Sequence, residues 1–161
     1  MSKIIAVHGA SGTQGGSVVK ALLKSDWKVR ALTRNSSSDA AKALTAAGAE
    51  VVAANFDDEA TLVKAYEGVE AIFLVTNFWE HLFTGKGRVE SGEAEARQAL
   101  AVVKVASKVP SLKHFIWSTL PGNAEGVSHS HTRYYTAITT ITSTVTGGGR
   151  HQSKNDICIL C

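Results

Sequence analysis

Three glycines recur at every third position, Gly9, Gly12 and Gly15, within His8-Gly-Ala-Ser-Gly-Thr-Gln-Gly-Gly16. Glycine allows positive φ and a close approach of backbone to a ligand. Ser11, Thr13 and Gln14 fill the places between them. The short apolar run Lys3-Ile-Ile-Ala-Val7 stands immediately before this stretch, and a helical pattern begins at Ser17. The first N–H groups of a helix have no partner inside it, and the helix dipole adds a partial positive charge there. Strand, glycine turn and helix together suit a pyrophosphate. A glycine-rich tight turn with no ligand is the plainer alternative. The element order is the context that supports a dinucleotide-binding turn.

A second group of residues comes after the next strand, Lys28 to Arg34. A site that prefers NAD carries Asp or Glu there to accept the ribose hydroxyls. This chain has Thr33-Arg34-Asn35-Ser36, with no carboxylate until Asp39. The fork of an arginine makes charge-assisted bonds to a 2′-phosphate, so Arg34, with Asn35 and Ser36 beside it, points to NADP, with NADPH preferred over NADH. A solvated arginine at a strand end is the alternative. Asp57 lies just past the third strand, within reach of an adenine, or serves a helix start together with Asp58. Thr76 and Asn77 end the fourth strand, near where a nicotinamide ribose would lie, and topology alone puts them there.

The elements that must position these residues alternate regularly. Val18, Val19, Leu22 and Leu23 give one apolar stripe to a helix from about Gln14 to Ser25. The pattern continues through a strand over 28–34, an Ala-rich helix to Ala47 with Gly48 as its stop, and a strand over 50–54. A helix from Glu59 to about Tyr66 carries Leu62 and Tyr66 on one face. Ala71-Ile-Phe-Leu-Val75 is continuously apolar, as a parallel strand covered on both faces would be. Residues 77–92 change character, with a Gly85-Lys86-Gly87 loop. A long helix over about 89–108 is expected to bury Ala96, Leu100, Val103 and Ala106, with Pro110 at its exit. Lys113 to Ser118 is a fifth strand. This is an α/β chain, a doubly wound parallel sheet of Rossmann type in the order 3-2-1-4-5, incomplete at its C-terminal end.

Composition narrows the classes further. With 161 residues the size suits one domain. A net charge of +3 offers no basic stripe for nucleic acid. No apolar run approaches the roughly 20 residues of a membrane span, and no signal peptide is visible, so a cytoplasmic location is expected, with a nuclear one open to a regulator. The two cysteines, Cys158 and Cys161, build no disulfide framework. Cys158-Ile-Leu-Cys161 has the outline of a prenylation box or a Cys-x-x-Cys pair, but it lacks the usual terminal residue of the one and the setting of the other.

Residues 1–122 are thus read as the dinucleotide-binding domain and residues 123–161 as an irregular or disordered tail. Pro121-Gly122-Asn123 is a turn, Thr136 to Val145 is β-prone without a clean period, and the glycine run Gly147-Gly148-Gly149 comes directly after Thr146. His129 and His131 have no accompanying cysteine or carboxylate cluster, so no metal site is expected.

Several of these segments together resemble the NmrA-like family: His8 to Gly16, Val29-Arg-Ala-Leu-Thr-Arg34, Gly48-Ala-Glu-Val-Val52, Phe73-Leu-Val-Thr-Asn77 with Trp79-Glu80, and His114-Phe-Ile-Trp-Ser118. That family contains atypical short-chain dehydrogenase/reductase relatives, among them the fungal nitrogen metabolite repression regulator and NADPH-sensing proteins. The resemblance covers residues 1 to about 125. It implies a Rossmann domain holding NADP through the glycine turn and Arg34, in either a redox-linked regulator with a protein partner or an NADPH-dependent oxidoreductase. Members continue past the fifth strand with a helix, a sixth strand and a smaller domain. The residues after Glu125 resemble none of this, which suggests a truncated member with an unrelated tail, or a non-functional fragment.

Short-chain reductases use a Tyr-x-x-x-Lys pair, in which lysine lowers the tyrosine pKa for proton donation. Here Tyr66, Tyr134 and Tyr135 are followed four positions later by Glu70, Ile138 and Thr139. Ser118 falls where the family's catalytic serine would lie, but without that pair it reads more simply as a strand-end hydroxyl. The expectation is a cofactor-binding regulator, with enzymatic activity left open.

Overall fold

The computed structural model describes residues 3–118, together with the backbone of 156–160. The expectations for Pro121-Gly122-Asn123, His129, His131, Tyr134, Tyr135, Thr136 to Val145 and Cys161 lie outside the described residues. The elements run β1 (Ile4–Val7), α1 (Thr13–Leu22), β2 (Lys28–Thr33), α2 (Asp39–Ala46), β3 (Glu50–Ala53), α3 (Glu59–Ala65), β4 (Ala71–Val75), α4 (Phe78–Phe83), α5 (Arg88–Ala106), β5 (His114–Ser118) and β6 (Asp156–Leu160). The strands form one sheet in the order β3-β2-β1-β4-β5-β6. All pairings are parallel, and Val7 stands in register with Ala31 on one side and Phe73 on the other. The first five strands keep the 3-2-1-4-5 order expected of a Rossmann-type α/β sheet.

Alternation along the central strands sorts the core into two layers. Ala6, Ile72, Leu74, Phe115 and Trp117 face Leu62 and Tyr66 of the α3 region and Val102 and Val105 of α5. Ile5, Val7, Val29, Ala31 and Phe73 face Val19 of α1. Both faces of β4 are therefore covered, which accounts for its unbroken apolar sequence. Each fully buried Leu, Ile or Phe contributes about 1.5–3 kcal/mol through burial. Removing the Ile72 side chain down to alanine would cost about 2–5 kcal/mol.

Two features depart from the expected pattern. Leu100 is 43% exposed, whereas Ala96, Val103 and Ala106 of the same helix are buried as expected. The inward face of α5 runs through Ala99, Val102 and Val103, and at 100° per residue this turns Leu100 outward. The sheet also gains β6, which pairs Asp156–Leu160 with His114–Ser118 inside the stretch read as irregular. Cys158, the first residue of the prenylation and redox outlines, therefore falls on a strand.

Candidate functional site

With β1 between β2 and β4 in the sheet, a ligand crevice is expected at the carboxyl ends of β1 and β4. Gly9 opens the turn after β1 at φ +64, and the Gly12 N–H donates to the Gly9 carbonyl at 2.9 Å. Gly15 is the tightest point. A Cβ there would lie 2.6 Å from the Gly9 carbonyl carbon and 2.8 Å from the His8 oxygen, so only hydrogen fits. Gly12 is the N-cap of α1 and brings no side-chain cap to the first turn. Ser11, Gly12, Thr13 and Gln14 are exposed, so their backbone faces solvent where an anion would approach.

His8, the residue before the turn, is buried. Its Nε2 shares a hydrogen bond with the Tyr66 hydroxyl, and its ring stacks on Phe56 with centroids 4.9 Å apart. Burial lowers the His8 pKa to about 3 and raises that of Tyr66, so both are neutral near pH 7. The pair anchors the base of the turn to the start of the loop after α3. Tyr66 is thereby committed to the core.

The other expected site residues follow the ends of β2, β3 and β4. Arg34 extends from the end of β2 and pairs with Glu80 of α4, Nη1 to Oε1, at 2.5 Å. The hydrogen bond from Arg34 holds the Glu80 carboxyl below its usual range. Asn35 accepts from the Ser37 N–H at 2.9 Å and shapes the loop that carries the exposed Ser36 into α2, where Ser38 is the cap. Asp57 is exposed and stands next to Asp58, which is the cap of α3 and accepts from the Ala60 and Thr61 N–H groups.

Thr76 donates to Glu95 of α5 and accepts from the Trp117 indole at 3.4 Å. Asn77 is the N-cap of α4: its Oδ1 accepts from the Glu80 N–H at 3.2 Å, while its Nδ2 donates to Glu80 Oε2 at 3.0 Å. Ser118 Oγ accepts from the Gln14 amide at 2.6 Å. The side chains thus pair in three sets: Gln14 with Ser118, Thr76 with Glu95 and Trp117, and Arg34 and Asn77 with Glu80.

Sequence reasoning misses α4 and the role of Glu80. The signal is present: Asn77-x-x-Glu80 is the spacing of an N-cap and its third helical residue. Six residues make too short a period to stand out. None of the helices among the described residues is long and apolar enough to cross a membrane.

Comparison with known proteins agrees with this architecture. The chain is 34% identical over 125 residues to the NmrA-like family domain-containing oxidoreductase hkm9 of Aspergillus hancockii, covering 77% of this chain and 36% of that protein. The chain thus spans about a third of the length of the curated relatives it matches. The structure of the NADPH-dependent quinone oxidoreductase QOR2 of Escherichia coli, complexed with NADPH, superposes with a TM-score of 0.64 at 25% identity, covering 87% of this chain and 45% of that one. The negative transcriptional regulator NmrA superposes with a TM-score of 0.67 at 16% identity over 88% of this chain and 43% of its own, a likeness of fold. The sequence model of the NmrA-like family matches residues 1–145, reaching past Glu125, and the chain belongs to the NmrA-like family.

Proposed function

We propose that the chain binds NADP(H) and acts as a redox-linked regulator or binding protein. The observation that supports this reading is the Arg34–Glu80 ion pair, formed after β2 and β4 on either side of β1, together with a glycine turn after β1 that leaves no room for a side chain at Gly15. The α1 N-terminus would hold the pyrophosphate, and the Arg34 guanidinium, with Asn35 and Ser36 nearby, would hold a 2′-phosphate. Asp57, just after β3, would serve the adenine side, and Thr76 and Asn77, just after β4, the nicotinamide ribose. The QOR2 complex with NADPH supports the choice of cofactor. When bound, the nicotinamide supplies a hydride to transfer or a redox state to sense.

A regulator or binding role is favoured by the state of the hydroxyls. Tyr66 is buried against His8 and presents no free acid to a substrate, and Ser118, which accepts from Gln14, has no Tyr-x-x-x-Lys pair beside it in the sequence. The second reading, an NADPH-dependent oxidoreductase of the atypical short-chain class, draws on the name of the Aspergillus hancockii relative. Incubating the chain with NADPH and a panel of quinones, aldehydes and ketones, and recording absorbance at the nicotinamide band, separates the two. Binding without turnover supports the regulator. Turnover that is saturable in a carbonyl or quinone overturns it.

A further inference from the structure

Glu80 stands in an unusual position for a surface carboxylate. Arg34 comes after β2 and Glu80 after β4, while β1 lies between those two strands in the sheet. Their ion pair therefore reaches across the carboxyl end of β1, above the start of the glycine turn. The two carboxylate oxygens are divided between the two banks: Oε1 takes Arg34 at 2.5 Å and Oε2 takes the Asn77 amide at 3.0 Å. The Asn77 side chain in turn caps α4, so the helix, the carboxylate and the guanidinium form one connected unit.

We propose that Glu80 is a specificity-determining residue, competing with the 2′-phosphate of the cofactor for Arg34. The inference rests on the NADP(H) reading of the crevice. A phosphate that takes the Arg34 fork through Nη1 meets a carboxylate already bonded to that nitrogen, and like charges so close repel. The phosphate must displace Glu80, whereas a nucleotide without a 2′-phosphate leaves the pair intact. Glu80 thus reduces the advantage that Arg34 gives to NADPH, and its removal sharpens the preference. The side chain of Arg34 is 67% exposed and that of Glu80 37%, so this is a solvated pair of modest strength. The expected effect is correspondingly about two- to fivefold in affinity. The alternative geometry, in which Glu80 holds Arg34 in place for the phosphate, predicts the opposite sign.

The test is calorimetric titration of the whole chain and its Glu80→Gln variant with 2′,5′-ADP and with 5′-ADP, after thermal melting shows that both are folded. Glutamine keeps an acceptor for Asn77 while removing the charge. The expected result is about two- to fivefold tighter binding of 2′,5′-ADP by the variant, with 5′-ADP unchanged. Equal or weaker binding of 2′,5′-ADP by the variant, while the parent chain still prefers 2′,5′-ADP, overturns the competition and leaves the NADP(H) reading standing. Equal tightening of both nucleotides also overturns it, because Glu80 would then act as a general gate. No preference for 2′,5′-ADP in either protein removes the NADP(H) reading and the proposal with it.

Discussion

Gln14 and Ser118, 104 positions apart, are joined by a hydrogen bond of 2.6 Å from the Gln14 amide to the Ser118 hydroxyl. The contact ties the first turn of α1 to the last residue of β5. Ser118→Ala releases Gln14 without disturbing the core. A net hydrogen bond contributes about 1 kcal/mol to folding, so a fall of a few degrees at most in melting temperature is expected, and NADPH affinity should fall by about fivefold if the bond positions the turn for the cofactor. Calorimetric titration checks this, and Ser118→Thr, which keeps a hydroxyl, should restore most of the loss. Unchanged affinity in Ser118→Ala would show that the contact does not position the turn.

The turn itself tolerates no side chain at Gly15. A methyl group there would collide with the Gly9 carbonyl and the His8 oxygen, both backbone, so relief requires the turn to move. Gly15→Ala is expected to destabilise the chain by about 1–3 kcal/mol and to abolish measurable nucleotide binding. Gly92 in α5 provides the contrast, because among the described residues nothing stands within 4 Å of a Cβ built there. Gly92→Ala should be neutral or stabilising by up to about 1 kcal/mol. Urea denaturation of both variants checks the pair, and similar losses in both would contradict the geometry.

His8 makes stability depend on pH. Its folded pKa of about 3 lies below the ordinary value of 6.5, so the unfolded chain takes up a proton that the folded chain refuses. The contribution of His8 is fully present above about pH 6.5 and is lost as pH falls from there toward about 3. The slope is up to about 1.4 kcal/mol per pH unit. Urea midpoints measured from pH 8 to pH 4 should fall along this window, and His8→Asn should flatten it. Tyr66→Phe leaves the buried His8 Nε2 without its partner and should cost about 1–3 kcal/mol at pH 7.5. A chain equally stable at pH 4.5 and pH 7.5 would contradict the burial of a neutral His8.

Much of this arrangement is legible in the residues because two periodicities dominate it. The unbroken apolar run 71–75, the glycine spacing and the stripe of Val19 and Leu22 each point to one element and one side of the sheet. Leu100 departs from its expected burial because α5 is long and rich in alanine. Ala99 and Val102 pack inward beside Val103, and an apolar residue between them can face either way. Glu80 does not stand out in the sequence because its importance arises from a partner 46 positions earlier, after a different strand. The pairing of Gln14 with Ser118 and of His8 with Tyr66 is hidden for the same reason. Local pattern specifies the elements, while pairings across the sheet depend on strand order and register, which a one-dimensional reading supplies only in outline. The strand at Asp156–Leu160 comes after a long stretch of threonine and glycine, and its alternation is too short to stand out from that background.

Arg34 is proposed to select a dinucleotide that carries a 2′-phosphate. Calorimetric titration of the chain and of Arg34→Gln with NADPH and with NADH tests it most directly. The parent chain is predicted to bind NADPH at least about tenfold more tightly than NADH, and Arg34→Gln is predicted to lose most of that difference by weakening NADPH alone, as expected of a charged hydrogen bond of about 1.5–3 kcal/mol. Equal affinities for the two cofactors in the parent chain, or a preference for NADPH that survives in Arg34→Gln, would contradict it.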